Sequence, residues 1–201
     1  RVFNISARDA GAFILAPGMA RRLEAEAPGI RIAWSQVQRG HISTELASGR
    51  LDLAIDVADL RGRDMESVEL LATPYACVMS RDHPRAGNVL TMEDFVALRH
   101  VVVSSRREGR SYVEEIARAE GHRITPVMRL PHHMPALEIV RRTHLVATVP
   151  LPLAESSGLA VLPLPPVFPH LRSVLYWRRE NAEDPALAWL RDLVQQLAET
   201  S

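Results

Sequence analysis

No lysine occurs anywhere in this chain; all 24 of its Lys-plus-Arg positions are arginine. Against 24 Asp and Glu the formal net charge is zero, so the whole-chain field points neither to nucleic acid nor to an anionic membrane. The exclusive use of arginine matches genomic base bias and carries no functional weight. Cys77 is the single cysteine, which excludes an intrachain disulfide and a cysteine zinc site. Apolar runs are broken by Pro, Gly or charge well short of the roughly 18 residues a membrane span needs. No secretory signal opens the chain. It begins directly on the strand pattern Val2-Phe3-Asn4-Ile5, as expected of a domain trimmed from a longer protein, so the missing signal decides nothing about compartment. Catalytic phrases are missing too: there is no Gly-x-Ser-x-Gly elbow, phosphate-binding glycine loop, HExxH or paired-carboxylate spacing. An enzyme reading has no nucleophile and base to point to.

What is present suits one large domain or two small lobes: 201 residues, 47% hydrophobic and 24% charged. The informative stretch is Ile30–Asp56. Ile30, Ile32 and Trp34 alternate after the Ala27-Pro28-Gly29 turn, a strand signal. The polar break Gln38-Arg39-Gly40-His41 leads into Ile42, Leu46 and Ala47 at helical spacing, and Gly49 stops that helix. Leu51–Ile55 then reads as a second, buried strand. Strand, helix and strand in this space form a βαβ unit, which implies a parallel sheet. With the strand at Arg1–Ala7, the turn Arg8–Gly11 and a helix to about Glu26 (Pro17 in its first turn or two), the opening reads βαβαβ, half of an open α/β sheet.

Further along, strands are expected at Met65–Leu71, Pro74–Met79, Val101–Val103, Ile124–Leu130, Leu145–Val149, Leu159–Leu164 and Arg172–Trp177. Helices are expected at Met92–Leu98 behind Thr91, around Tyr112–Ala119 before Gly121, at Pro135–Arg142 and at Leu153–Ser156. A last one opens on Asp184-Pro185, a capping carboxylate followed by proline at the first helical position.

Ligands of open parallel sheets collect beyond the carboxyl ends of the strands, where helix N-termini are receptive to anions and polar groups. Five loops meet that description, and they nominate Ala7, Arg8, Asp9, Gln38, Arg39, His41, Ser104, Ser105, His132, His133, Thr148 and Pro150 as ligand-binding residues. Each also has an ordinary reading. Ser104 and Ser105 suit a turn. His132 and His133 point differently, so at most one faces a ligand, and a structural role stands evenly beside that one. No further His, Cys or carboxylate sits at metal-ligand spacing beside them, so no metal or cofactor is implied. At most one of Arg39, Arg106, Arg107 and Arg110 is expected at an anionic ligand. Asp52, inside an apolar stretch, is expected to bond neighbouring backbone. Cys77 is expected to pack as a small apolar side chain.

Leu46, Gly49 and Leu51–Ile55, with His83-Pro84 and the order of elements, resemble the effector-binding domain of LysR-type transcriptional regulators. The likeness covers essentially the whole chain. It implies a two-lobed, periplasmic-binding-protein-like α/β fold of type 2, each lobe a mostly parallel sheet flanked by helices, with the ligand cleft between lobes. The implied lobes are residues 1–80 plus 163–201 and residues 81–162. A winged helix-turn-helix would precede Arg1 in the intact, DNA-binding protein. The stretch Pro131–Glu155 resembles the nodulation-regulator branch, which answers to aromatic inducers such as salicylate, nitroaromatics or flavonoids. The resemblance further implies a small-molecule inducer, a homodimer or homotetramer pairing through about Ala12–Glu26, DNA contact only through the missing domain, no membrane and a cytoplasmic location. A free-standing solute-binding protein for transport shares the fold, and an enzyme on the same scaffold is the third reading.

Overall fold

The computed structural model describes residues 1–57, 60, 62, 64–104 and 109–200. The chain divides into two compact units, Arg1–Ala72 with Leu171–Ser201, and Thr73–His170. Each is a five-stranded mixed sheet with helices on both faces.

The first unit holds β1 (Val2–Ser6), α1 (Asp9–Glu26), β2 (Arg31–Ser35), α2 (Arg39–Ala47), β3 (Leu53–Val57), β4 (Met65–Thr73), β10 (Leu171–Arg178) and α7 (Pro185–Glu199). Its sheet order is β2-β1-β3-β10-β4, with β1 parallel to β2 and β3, and β10 antiparallel to β3. The two-residue period of a strand decides what each face buries. Leu53 and Ile55 join Leu175 and Trp177 under α1 and α7, whose Leu15, Met19, Leu187, Leu190, Leu193 and Val194 close that core. Ala54, Val174 and Tyr176 face the other way, onto Ile42 and Leu46 of α2. Gly49, at φ +71°, ends α2 in the left-handed conformation that disfavours any side chain.

The second unit holds β5 (Tyr75–Met79), α3 (Met92–Ala97), β6 (His100–Val103), α4 (Tyr112–Ala119), β7 (Met128–Leu130), α5 (His133–Arg142), β8 (Val146–Pro150), α6 (Leu151–Ser156) and β9 (Ala160–Pro163). The order is β7-β6-β8-β5-β9, with β6 parallel to β7 and β8, and β5 antiparallel to β8 and β9. Ala76, Val78, Val101, Ala147 and Val149 pack under α5 and α6. Cys77, Val102, Val146 and Leu162 pack on the opposite face with Phe95 of α3 and Val113 and Ala117 of α4.

Several local expectations shift. The sequence pattern carries the first lobe to residue 80, but β5 pairs with β8 and β9, so that strand belongs to the second sheet. The second unit likewise runs past residue 162, to His170. Helix α1 already includes Asp9, and Pro17 is its ninth residue rather than a first-turn one. Pro17 and Phe13 both lie exposed, so the carbonyl deprived of its partner by the proline sits on the solvent side. Helix α5 starts at His133, two residues before Pro135. A proline inside the first turn costs no intrahelical hydrogen bond, because those N–H groups have no helical acceptor. Strand β3 runs Leu53–Val57, two residues later than expected, with Asp52 before it tied to Asn4 of β1 through both its N–H and its carboxylate. Strand β7 covers only three of the seven residues expected, since Pro126 has no N–H to give. Thr91 accepts from the Asp94 N–H at 3.1 Å and caps α3 as expected.

Candidate functional site

In the second unit the parallel strands β6, β7 and β8 end at one edge, and the loops that leave them carry the expected residues. The Ser104 N–H donates to the Leu130 carbonyl at 2.7 Å, holding the end of β6 to the end of β7. Ser104 is buried and continues the side-chain parity of Val102. Thr148, on β8, shares the face of Val146 and stands opposite Cys77 in register. Its Oγ1 is buried and has no hydrogen-bond partner among the described residues. Pro150 is buried, faces Tyr75 in register and leads into α6. On the other side of the sheet, His133 is the first residue of α5 and 8% exposed, while His132 before it is exposed. Two adjacent histidines do point apart, and the buried one is His133.

Arg8, Gln38, His132 and Pro150, the residues before α1, α2, α5 and α6, make no side-chain capping bond, and all four helices begin just beyond a parallel strand. The caps supplied by Thr91 and Asp184 lie on helices that do not follow a parallel strand. Helix α4 is the exception at the edge. Ser111 and Glu114 form a reciprocal capping box, and Arg129 of β7 donates to both Glu114 oxygens at 2.9 and 2.8 Å. Burial pushes the Glu114 carboxyl up, but the bonds from Ser111 and Arg129 outweigh it and hold it below the usual carboxylate range.

The first unit has an edge of its own at the ends of β1, β2 and β3. The Ala7 N–H donates to the Ser35 carbonyl at 3.0 Å, and the Val37 N–H donates to Ser6 Oγ at 3.1 Å. Arg8 and Gln38 are the residues that lead into α1 and α2, and Asp9 lies in the first turn of α1. Arg39, at the first position of α2, reaches Asp56 of β3 with 3.6 Å between Nη1 and Oδ1. Strand parity explains the pair, because Asp56 shares the α2 face with Ala54. Asp56 is 8% exposed and accepts from the Val57 N–H at 2.6 Å. His41, two residues further, is exposed.

The structure therefore assembles Ser104, His133, Thr148 and Pro150 at one edge of the second sheet, with His132 exposed beside them. It groups Ala7, Arg8, Asp9, Gln38, Arg39 and His41 at one edge of the first. Ala7 offers no polar side chain, and its N–H is already spent. Ser105, Arg106 and Arg107 lie outside the described residues, and Arg110 is exposed, with Glu115 at 3.9 Å. Asp52 bonds backbone as expected, accepting from the Asn4 N–H at 2.7 Å, although it precedes β3 rather than lying in it. Sequence reasoning missed Asp56. Its signal is a carboxylate at the carboxyl end of an apolar strand, directly before a loop. Among the described residues no group of three His, Cys, Asp or Glu is placed to hold a metal, and no helix is long and apolar enough to cross a membrane. Cys77 is fully buried, and burial pushes its thiol up to about 12.

Comparison with known proteins adds to this geometry. The family model described as LysR substrate binding domain matches residues 1–199. The HTH-type transcriptional activator NahR of Pseudomonas putida is 30% identical over 201 residues, covering 98% of this chain and 67% of NahR. The HTH-type transcriptional activator NagR of Ralstonia sp is 28% identical over 201 residues with the same coverage of each chain. Both relatives lie in the branch that Pro131–Glu155 resembles. The crystal structure of the regulatory domain of MexT, a transcriptional activator in Pseudomonas aeruginosa, aligns at a TM-score of 0.83 and 26% identity. That alignment covers 98% of this chain and 97% of the MexT chain.

Proposed function

The chain belongs to the LysR substrate binding domain family, the effector-binding part of LysR-type transcriptional regulators, and from that premise we propose that it senses a small aromatic acid or phenol. The observation that carries the proposal is the buried Thr148 hydroxyl, without a partner among the described residues, at the carboxyl edge of the second sheet. A buried hydroxyl without a partner costs roughly 1–3 kcal/mol, so a fold keeps one where a bound group completes it. A carboxylate or phenolate suits that place. It accepts from Thr148, and no charged side chain need be buried to hold it. His133, the first residue of α5 at the same carboxyl edge, is a further contact in the proposal, its ring offering a donor or an acceptor by tautomer. Aromatic character is inferred from the likeness of Pro131–Glu155 to its branch, and the exposed Met134 beside His133 supplies an apolar, polarizable contact for a ring.

The remaining contacts in the proposal are Ser104, His132 and Pro150 of the second unit. The protein acts in this reading as a binding domain rather than a catalyst, because its relatives are transcriptional regulators. In this reading it acts in the cytoplasm, in an oligomer, with DNA contacted by a separate domain. Ligand binding acts by favouring one arrangement of the regulator over another. The relatives lend nothing to a transport role.

A thermal-shift panel tests the ligand class. Salicylate, benzoate, nitroaromatic acids and flavonoids are set against amino acids and sugars. Stabilisation of RT ln(1 + [L]/Kd) is expected from at least one aromatic acid or phenol. Stabilisation by amino acids or sugars alone refutes the proposal.

A further inference from the structure

The chain passes between its units twice, after Ala72 and after His170. The second-unit residues next to both passages converge on one side chain, Tyr112, the first residue of α4. Its ring lies 5.3 Å from that of Tyr75, just past the first passage, and 6.2 Å from that of Phe168, just before the second. Its hydroxyl donates to the Pro169 carbonyl. The return segment is seated deeper through Phe168, which meets Phe95 at 5.2 Å, and Phe95 meets the buried His100 at 4.8 Å. The outgoing segment has a second tie. The Leu151 N–H, at the start of α6, donates to the Pro74 carbonyl at 2.9 Å, and Tyr75 faces Pro150 in register. The residue beside the α4 cap is thus the contact shared by both linking segments.

We propose that Tyr112 is a coupling residue, through which displacement at the amino end of α4 reaches both segments that join the units. The half-buried ring touches both neighbours, so shifting the first turn of α4 must also move Tyr75 and Phe168 or open the contacts between them. The Ser111–Glu114–Arg129 lattice makes the helix start a rigid lever, because it fixes the first turn to β7. The biological use of this coupling rests on reading the carboxyl edge as the effector site. The coupling itself needs no ligand.

A double-mutant cycle read by amide hydrogen exchange on the whole chain provides the test. Ser111→Ala loosens the start of α4 without touching the Tyr112 ring. The reporters are the Phe168 amide, bonded to the Pro165 carbonyl at 3.1 Å, and the Leu151 amide. In the Tyr112 background the cap change is expected to raise exchange at both reporters about three-fold, the factor of one modest hydrogen bond. In Tyr112→Leu that response disappears. An equal response in both backgrounds overturns the proposal. If Tyr112→Leu does not fold, the same cycle with Tyr112→Phe, read at Phe168 alone, decides it by the same criterion. Salicylate then serves as the probe of use. It is expected to stabilise wild type and Tyr112→Phe alike and to change Phe168 protection only in wild type. If protection at Phe168 changes equally in both, the hydroxyl is not part of the coupling and the proposal fails. Absence of any stabilisation by salicylate or the other aromatic probes counts against the functional reading alone.

Discussion

Thr148→Val is expected to make the protein more stable and its ligand weaker at once. Valine keeps the branched shape of threonine and replaces the hydroxyl with a methyl on the face that Thr148 shares with Val146, opposite Cys77 in register. What leaves is a buried oxygen with no partner among the described residues. Relieving such a group returns roughly 1–3 kcal/mol, and at the lower end Tm rises by about 2–4 °C for a chain of this size. The matching loss is one hydrogen bond to the bound anion, worth about 1.5 kcal/mol or more, which weakens binding at least about ten-fold. Differential scanning calorimetry reads the first effect and isothermal titration with the best aromatic acid of the panel reads the second. Thr148→Ser is the control, since it keeps the hydroxyl and loses a methyl. It is expected to bind and to melt lower, by roughly 1 kcal/mol. A lower Tm for Thr148→Val means that the hydroxyl is satisfied in the folded protein. The argument for a binding role at this place then fails. A gain in stability bought at the expense of binding is the usual mark of a functional position.

Two further outcomes follow from capping and from titration. Asp184 accepts from the Ala186 and Leu187 N–H groups at 2.9 and 3.2 Å, so Asp184→Ala is expected to cost about 1 kcal/mol in urea unfolding, while Asp184→Asn stays near wild type. Equal losses in the two variants would mean that the ion pair with Arg1, and not the cap, carries the effect. His83 and His100 are both held below the ordinary histidine value. Burial is the first cause in each case, joined at His83 by the charge of nearby His144. A depressed histidine binds its proton more readily in the unfolded chain. Stability is therefore level above about pH 6.5 and falls as the pH drops below it. The urea midpoint is expected to be lower at pH 5.5 than at pH 7.5, with a smaller difference in His83→Gln. A midpoint that holds or rises on acidification contradicts the sign.

Much of the local structure could be read directly from residue order. The Gly49 stop, the Asp184-Pro185 start, the Thr91 cap and the βαβ phrase of Ile30–Asp56 each rest on interactions within a few residues. Such interactions are present in any environment that buries the apolar face. Errors cluster where the deciding partner is remote. Tyr75–Met79 is apolar on both faces, so its pattern suits either sheet, and only pairing with Ala147–Pro150 and Ala160–Pro163 assigns it to the second. Asp52 stood out because it interrupts an apolar run, yet Asp56 is the more deeply buried carboxylate, paired with Arg39. Its meaning depends on which face of β3 carries α2.

The same division runs through the candidate site. Residue order determined that polar groups sit just past the carboxyl ends of strands, because strand and helix periods are local and the loops are what remains between them. Tertiary structure alone decided that His133 is buried and His132 is not, that Arg39 pairs with Asp56, and that the Thr148 hydroxyl has no partner among the described residues. It also brought Tyr75, Tyr112 and Phe168 together from three separate parts of the chain. The reason is physical. Burial, pairing and the lack of a pairing are properties of a three-dimensional neighbourhood, and segments distant in the chain create that neighbourhood only once they have packed.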